Sequence, residues 1–158
     1  MASSPFLTKL KALELEANEI GDAALIKLFQ SPNLAKITHL NVNGNNMTLS
    51  GLRILLQSSF ASQLRSLNVG WNRKLGLAGA RLLSATRELA NLRDLTVRYC
   101  GIPAEGISAL LASPHLTNVK ALDIEGNGIG ERDRSAYQKR FGKSRKAPRP
   151  AAQSGIDF

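Results

Sequence analysis

The stretch LKALELEANEI, residues 10–20, decides the fold, because its skeleton returns four more times along the chain. Apolar residues occupy its first, fourth and sixth positions, and Asn18 occupies the ninth. The five copies begin 27 or 28 residues apart, at Leu10, Ile37, Leu64, Leu92 and Val119. A fixed period of this length predicts a solenoid, in which each unit packs only against its neighbours.

Each copy divides into a strand half and a helix half. In the first copy Leu13 and Leu15 alternate with Ala12, Glu14 and Glu16, and this period of two predicts a short strand with inward-facing leucines. The second half carries apolar residues at helical spacing, such as Ile20, Leu25 and Leu28. The sequence therefore predicts a curved α/β solenoid of five repeats, with parallel strands on the concave face and helices on the convex face.

The ninth position of each copy predicts a ladder of side chains in the turns that follow the strands. It holds asparagine in four copies and Cys100 in the remaining one. An asparagine amide can bond backbone groups that a turn leaves unpaired. Cys100 is predicted to be a buried structural thiol, because a reactive thiol needs an electropositive, exposed site. The third copy also contains one extra residue, within Arg73-Lys74, and such insertions map to loops.

The two ends of the chain depart from the repeats, which occupy residues 10–130. Residues 1–9 match the segment that precedes later copies, so we interpret them as the remnant of a preceding repeat and the chain as a fragment. Such a chain would present an uncapped first strand, an edge suited to self-association. Residues 131–142 predict a C-terminal capping helix. Residues 143–158, rich in proline, lysine and arginine, are expected to be disordered.

This repeated skeleton is the leucine-rich-repeat signature, and its strand-plus-helix unit resembles the ribonuclease-inhibitor-like class. The pattern Asn-x-Ile-Gly at 18–21 and 127–130, with the ending 137–142, is similar to bacterial proteins that carry a short repeat-companion domain before such repeats. No stretch of this chain corresponds to the companion domain, in keeping with a fragment. The resemblance implies a non-enzymatic role in protein binding.

Composition bounds the compartment and the cofactors. A single cysteine excludes an internal disulfide, and no stretch is suited to secretion or to spanning a membrane, so a cytoplasmic location is expected. No zinc spacing, phosphate loop or catalytic triad is visible, and neither a cofactor nor an enzymatic activity is expected. The net charge is +9, and residues 131–158 hold eight basic against three acidic residues.

The predicted concave face carries the candidate partner-binding residues, because outward residues of stacked strands form columns about 4.8 Å apart. Trp71 and Tyr99 are predicted neighbours in one column, with Arg98 beside them and Arg73 just beyond. These residue types often dominate interfaces. The alternative is that the two rings merely cover the loop between strand and helix. The acidic residues assigned to the same partner-binding face are Glu14, Glu16, Asp123 and Glu125.

Two other functions are weighed against this binding face. Glu14 and Glu16 would be spaced like paired catalytic carboxylates, but an open wall offers no opposing face for a substrate. The basic tail favours an alternative role, electrostatic association with nucleic acid or an anionic surface. No aromatic residue interleaves with the charges of residues 143–149, which argues against base stacking. The sequence thus predicts a non-catalytic protein–protein interaction module.

Overall fold

A computed structural model describes residues 9–142 of the chain, in which five short parallel strands alternate with five helices. The strands are β1 (Ala12–Glu14), β2 (His39–Asn41), β3 (Ser66–Asn68), β4 (Asp94–Thr96) and β5 (Ala121–Asp123). The helices are α1 (Gly21–Phe29), α2 (Leu49–Leu56), α3 (Gly76–Ala85), α4 (Ala104–Leu111) and α5 (Glu131–Phe141). The assignments made for residues 1–8 and 143–158 lie outside the described residues.

The strands form one sheet in chain order, and each pairs in parallel with the equivalent strand of the next repeat. The pairing places Leu13 beside Leu40, and Leu40 beside Leu67, without a shift. This architecture confirms the predicted α/β leucine-rich-repeat solenoid. The unbroken register also means that outward residues at equivalent positions do form columns on the concave face.

The core lies between the sheet and the helices and is continuous from repeat to repeat. Leu67 and Leu95 in the central strands are at most 1% exposed, whereas Leu13 in β1 is only half-buried. Within the described residues β1 has a neighbouring strand on one side only, and no helix covers its other side as α5 covers the end at β5. Stability in such a stack comes from each repeat covering the next.

The segment between each helix and the next strand, which we call the lead-in, has a different sequence before β3 than in the other repeats. Leu34, Leu89 and Leu116 are buried at equivalent positions of three lead-ins, but the third repeat has Ala61 there. The preceding residue, Phe60, is fully buried, and its ring lies edge-on to Phe29 with a centroid distance of 6.3 Å. We infer that Phe60 fills the volume that a leucine would otherwise occupy.

The extra residue of the third repeat is absorbed in the turn between β3 and α3. Leu75 is 2% exposed and takes the core position that Ile20 holds in the first repeat. The next residue, Gly76, has a φ of +52° and donates its N–H to the carbonyl of Cys100 at 3.0 Å. The insertion therefore enlarges the loop that carries Arg73 without displacing the core.

The last helix covers the open side of the fifth repeat. Phe141 is buried in the core cluster, and the Tyr137 hydroxyl donates to the carbonyl oxygen of Leu122 at 2.8 Å. Burial raises the pKa of Tyr137 above its ordinary value, with a further contribution from Asp123. Within residues 9–142, no helix combines the length and the apolar character needed to cross a membrane.

Candidate functional site

An asparagine ladder fixes the turns that present the candidate site. The Asn72 side-chain oxygen accepts hydrogen bonds from the N–H groups of Asn45 and Met47, at 3.2 and 2.8 Å. Its side-chain nitrogen donates to the carbonyl of Val42, again in the preceding repeat, at 3.0 Å. Asn72 is completely buried, so these bonds satisfy backbone groups that water cannot reach. Asn45 and Asn127 bond the preceding repeat in the same way, so these ladder residues tie their own repeat to the one before it.

Cys100 occupies the same ladder position with a thiol. Its Sγ donates to the carbonyl of Val69 at 3.1 Å, and its N–H donates to the side-chain oxygen of Asn127 at 3.1 Å. Burial raises the pKa of Cys100 to about 11, so the side chain stays protonated near neutral pH. The prediction of a buried structural thiol is confirmed, since the nucleophilic form of cysteine is the thiolate.

The last column of the concave face has an unusual backbone. All five of its residues lie in the left-handed region, with φ between +52° and +71°; they are Ala17, Gly44, Trp71, Tyr99 and Gly126. Glycine adopts this conformation freely, whereas other residues pay about 1–2 kcal/mol. Two large aromatic residues therefore stand where glycine would be the least strained choice.

These two aromatic residues form a stack at the rim of the concave face. The ring centroids of Trp71 and Tyr99 are 4.3 Å apart, with an angle of 27° between the planes. Trp71 is 44% exposed and is the one large apolar residue of the 9–142 range that is classed as exposed. The guanidinium carbon of Arg73 lies 5.4 Å from the Trp71 ring centre, and that of Arg98 lies 5.7 Å from the Tyr99 ring centre. We call these four residues the aromatic patch.

Arg98 links the aromatic patch to the acidic end of the concave face. Its guanidinium forms a close ion pair with Glu125 and a longer one, 3.8 Å, with Asp123. The Tyr99 hydroxyl also donates to Glu125, at 3.3 Å. A Cβ atom at Gly70 would lie 2.9 Å from Arg98 Cγ, so the glycine leaves room for the arginine. The single charge of Arg98 is therefore shared between Glu125 and Asp123, and it offsets only part of their negative charge.

The two acidic residues of the first repeat have different partners. The Asn41 amide donates to a Glu14 carboxylate oxygen at 2.7 Å, and the Asn43 amide donates to Glu16 at 3.2 Å. Neither carboxylate forms an ion pair with any residue in the described part of the chain. Amide donors orient a carboxylate but do not cancel its charge. Glu14 and Glu16 therefore form an acidic corner that can accept a cation.

The sequence assigned seven of the eight candidate residues to outward columns and Arg73 to the loop just beyond them, but it did not predict how these side chains are connected. The structure joins the aromatic patch to Asp123 and Glu125 and leaves Glu14 and Glu16 in a separate corner. Asn41 and Asn43 were not assigned to the site. They could have been found from the sequence, because they occupy the same columns as Glu14 and Glu16. Among residues 9–142, no group of three or more His, Cys, Asp or Glu side chains is arranged to hold a metal ion.

A pair of glycine substitutions tests the stack. A Cβ atom at Gly126 would lie 2.7 Å from Tyr99 Cγ, whereas the nearest atom to one at Gly44 would be Ala17 Cα, at an ordinary contact distance of 3.4 Å. Both positions have positive φ, so both substitutions to alanine are expected to cost about 1–2 kcal/mol of stability. Only Gly126→Ala should also displace the Tyr99 ring and change the fluorescence of Trp71, the single tryptophan of the chain. Equal spectra for both variants would contradict the stacked arrangement.

Comparison with known families identifies the repeats. The family described as Leucine Rich repeat matches residues 6–29, 33–55, 62–84 and 115–136, which together cover more than half of the chain. Each match contains one strand and all or part of the helix after it, and the strand and helix of the repeat that holds Cys100 lie between the last two matches. A comparison with the curated proteins finds no match.

Proposed function

Because the chain belongs to the leucine-rich-repeat family, we propose that it is a non-catalytic module that binds a protein partner on its concave face. Members of this family are typically protein-interaction modules, and the shape and face of the solenoid suit that role. The observation that carries the proposal is Trp71, a large aromatic side chain that is 44% exposed and held in a left-handed backbone.

The two rings of the aromatic patch are held on a strained backbone. The left-handed conformation costs about 1–2 kcal/mol at each of Trp71 and Tyr99. A stacked aromatic pair returns about 0.5–1.5 kcal/mol beyond area burial. Glycine at both positions, as in Gly44 and Gly126, would avoid the cost. Strained residues of this kind cluster at functional sites, and an exposed Trp beside Tyr and Arg is the composition of an interface anchor.

The geometry indicates the chemistry of the partner. The acidic corner lies in the first repeat and the aromatic patch in the third and fourth, so two to three strand spacings, about 10–15 Å, separate them. A partner segment with a basic side chain at one end and an apolar or aromatic one at the other would engage both. Arg73, which forms no ion pair within residues 9–142, supplies donors for its backbone carbonyls or acidic groups.

We also propose that the repeats are of the ribonuclease-inhibitor-like class and that the protein is cytoplasmic. Helices of eight to eleven residues in units of 27–28 residues support the ribonuclease-inhibitor-like class rather than a class with extended convex segments. The single cysteine is buried as a free thiol, which suits a reducing, cytoplasmic compartment. The alternative role of the basic tail rests on residues 143–158, outside the described residues, and no observation favours it.

Photo-crosslinking tests the location of the binding face. A photoreactive phenylalanine analogue at position 71 is expected to form a crosslink to a discrete partner in a lysate, because Trp71 lies at the proposed interface. The matched control is the same analogue at Leu77, which lines a shallow groove of about 470 Å³ on the convex side. A crosslink that forms equally from both positions, or only from position 77, would contradict binding on the concave face.

A further inference from the structure

A second ladder runs along the edge of the sheet where the strands begin. The residue before each strand donates its N–H to the equivalent carbonyl of the preceding repeat: Arg65 to Thr38 at 2.7 Å, Arg93 to Arg65 at 2.8 Å, and Lys120 to Arg93 at 2.7 Å. Thr38 donates in the same way to Lys11. The backbone atoms of this column, which we call the strand-start edge, are thus stacked at the repeat spacing of about 4.8 Å.

The turns behind this edge are held by amide side chains. Gln63, Asn91 and Asn118 are equivalent residues, and each donates to a carbonyl of the preceding repeat, at 2.6, 2.9 and 2.8 Å. Arg65 adds a bond from its guanidinium to the carbonyl of Asn91 at 3.0 Å. The charged side chains of the strand-start edge therefore stand on a braced backbone rather than on loose loops.

The strand-start edge is a row of like charges. Four of its five residues are Lys or Arg, and Lys11, Arg65, Arg93 and Lys120 are all exposed. None of them forms an ion pair with a carboxylate in the part of the chain that the structure describes. The neighbouring column on the concave face contains one acidic residue, Asp94, which likewise forms no ion pair within residues 9–142. Like charges placed side by side on a sheet repel one another and destabilise it. A bound polyanion would relieve this repulsion.

We propose that the strand-start edge binds the phosphate backbone of a nucleic-acid duplex without reading its sequence. The row is one charge wide and spans four repeat intervals, about 19 Å, which suits a linear polyanion. Duplex DNA offers about one charge per 1.7 Å along its axis. Hydroxyl and amide donors such as Thr38 and Asn118 are also common phosphate contacts.

The form of the edge argues against other polyanions and against base recognition. A membrane surface would favour a broad face with apolar side chains for insertion. Trp71, the exposed large apolar residue of the described range, lies after β3, at the opposite edge. Base recognition in single strands depends on stacked aromatic rings, and the strand-start column has none. An acidic polypeptide carries fewer charges per unit length than a duplex.

Three full-length variants separate this edge from the overall charge, since each removes three positive charges. The strand-start variant is Arg65→Gln, Arg93→Gln and Lys120→Gln. The opposite-edge control changes one exposed residue in the loop after β3 and two in the first turns of α5: Lys74→Gln, Arg132→Gln and Arg134→Gln. The tail control is Lys143→Gln, Arg145→Gln and Lys146→Gln. The single variant Arg93→Gln serves if the strand-start variant does not fold.

The measurement is the salt dependence of binding to a labelled DNA duplex by fluorescence anisotropy, from about 50 to 200 mM salt. Each lost phosphate contact lowers the slope of log K against log salt by about 0.9. The strand-start variant is therefore expected to lose about 2.7 from the slope, and Arg93→Gln about 0.9, while the opposite-edge control keeps the wild-type slope.

Three results would overturn the proposal. One is equal loss of slope in the strand-start variant and the opposite-edge control, which would show a response to net charge alone. Another is a loss confined to the tail control. The third is stronger binding of polyglutamate or of anionic phospholipid vesicles than of the duplex, which would assign the edge to an acidic protein or to a membrane surface.

Discussion

Replacing Asn72 with alanine is expected to lower the free energy of unfolding by about 3–5 kcal/mol. The substitution removes the oxygen that accepts from the N–H groups of Asn45 and Met47, and the amide that donates to Val42. All of these groups lie in the interior, and each buried donor left without a partner costs about 1–3 kcal/mol. Urea denaturation followed by circular dichroism measures the change.

The matched control is Asn18→Ala in the first repeat. Asn18 occupies the same position of its repeat, but it is exposed, and among residues 9–142 its amide donates only to the carbonyl of Glu16, within its own turn. Its loss is expected to change the free energy of unfolding by less than about 0.5 kcal/mol. Similar losses for Asn72→Ala and Asn18→Ala would mean that bonds between repeats are not what stabilises the turns.

Replacing Phe60 with alanine is expected to cost about 3–5 kcal/mol, the usual range for a large side chain lost from a core. Phe60 is fully buried and contacts Phe29 edge-on. Its neighbour Ala61 is too small to fill the space that a leucine occupies in other lead-ins. The cavity in Phe60→Ala should therefore persist rather than collapse, and thermal or urea denaturation measures the loss.

Adding Ala61→Leu tests whether Phe60 replaces the missing leucine. In the Phe60→Ala background the new leucine restores the side chain found at Leu34 and Leu89, and about 1–2 kcal/mol of the loss should return. In the wild-type background the same substitution overfills the core and should cost about 1–3 kcal/mol. The effect of Ala61→Leu must therefore change sign between the two backgrounds. Destabilisation in both would contradict the exchange of volume.

The fold was predictable because a solenoid repeats one local pattern, and five copies made the period unambiguous. The period also determined the concave columns, since residues at equivalent positions must stack. Side-chain partners were not predictable in the same way. The choice of Arg98 to pair with Glu125, and of Asn41 to bond Glu14, depends on side-chain directions that the repeat spacing does not specify.

The sequence analysis missed two features because each lies one residue before a position that the repeat pattern defines. Phe60 precedes the position at which the other lead-ins carry leucine, so a comparison of equivalent positions did not identify it as a core residue. Arg65, Arg93 and Lys120 precede the first outward column, and the sequence interpretation attributed the excess positive charge to the tail instead. The boundary of a strand is the least certain part of a sequence prediction, so residues at such a boundary are easily left out.

The affinity of Trp71→Ala for the partner identified by crosslinking tests the central claim most directly. Hot-spot residues contribute 2 kcal/mol or more, so Trp71→Ala is expected to bind at least about 30-fold more weakly than the wild type. Its stability should fall by no more than about 0.5–1.5 kcal/mol, because the stack with Tyr99 is lost while alanine keeps the left-handed strain. An unchanged affinity together with a larger loss of stability would contradict the account, since Trp71 and Tyr99 would then serve only to cover the loop.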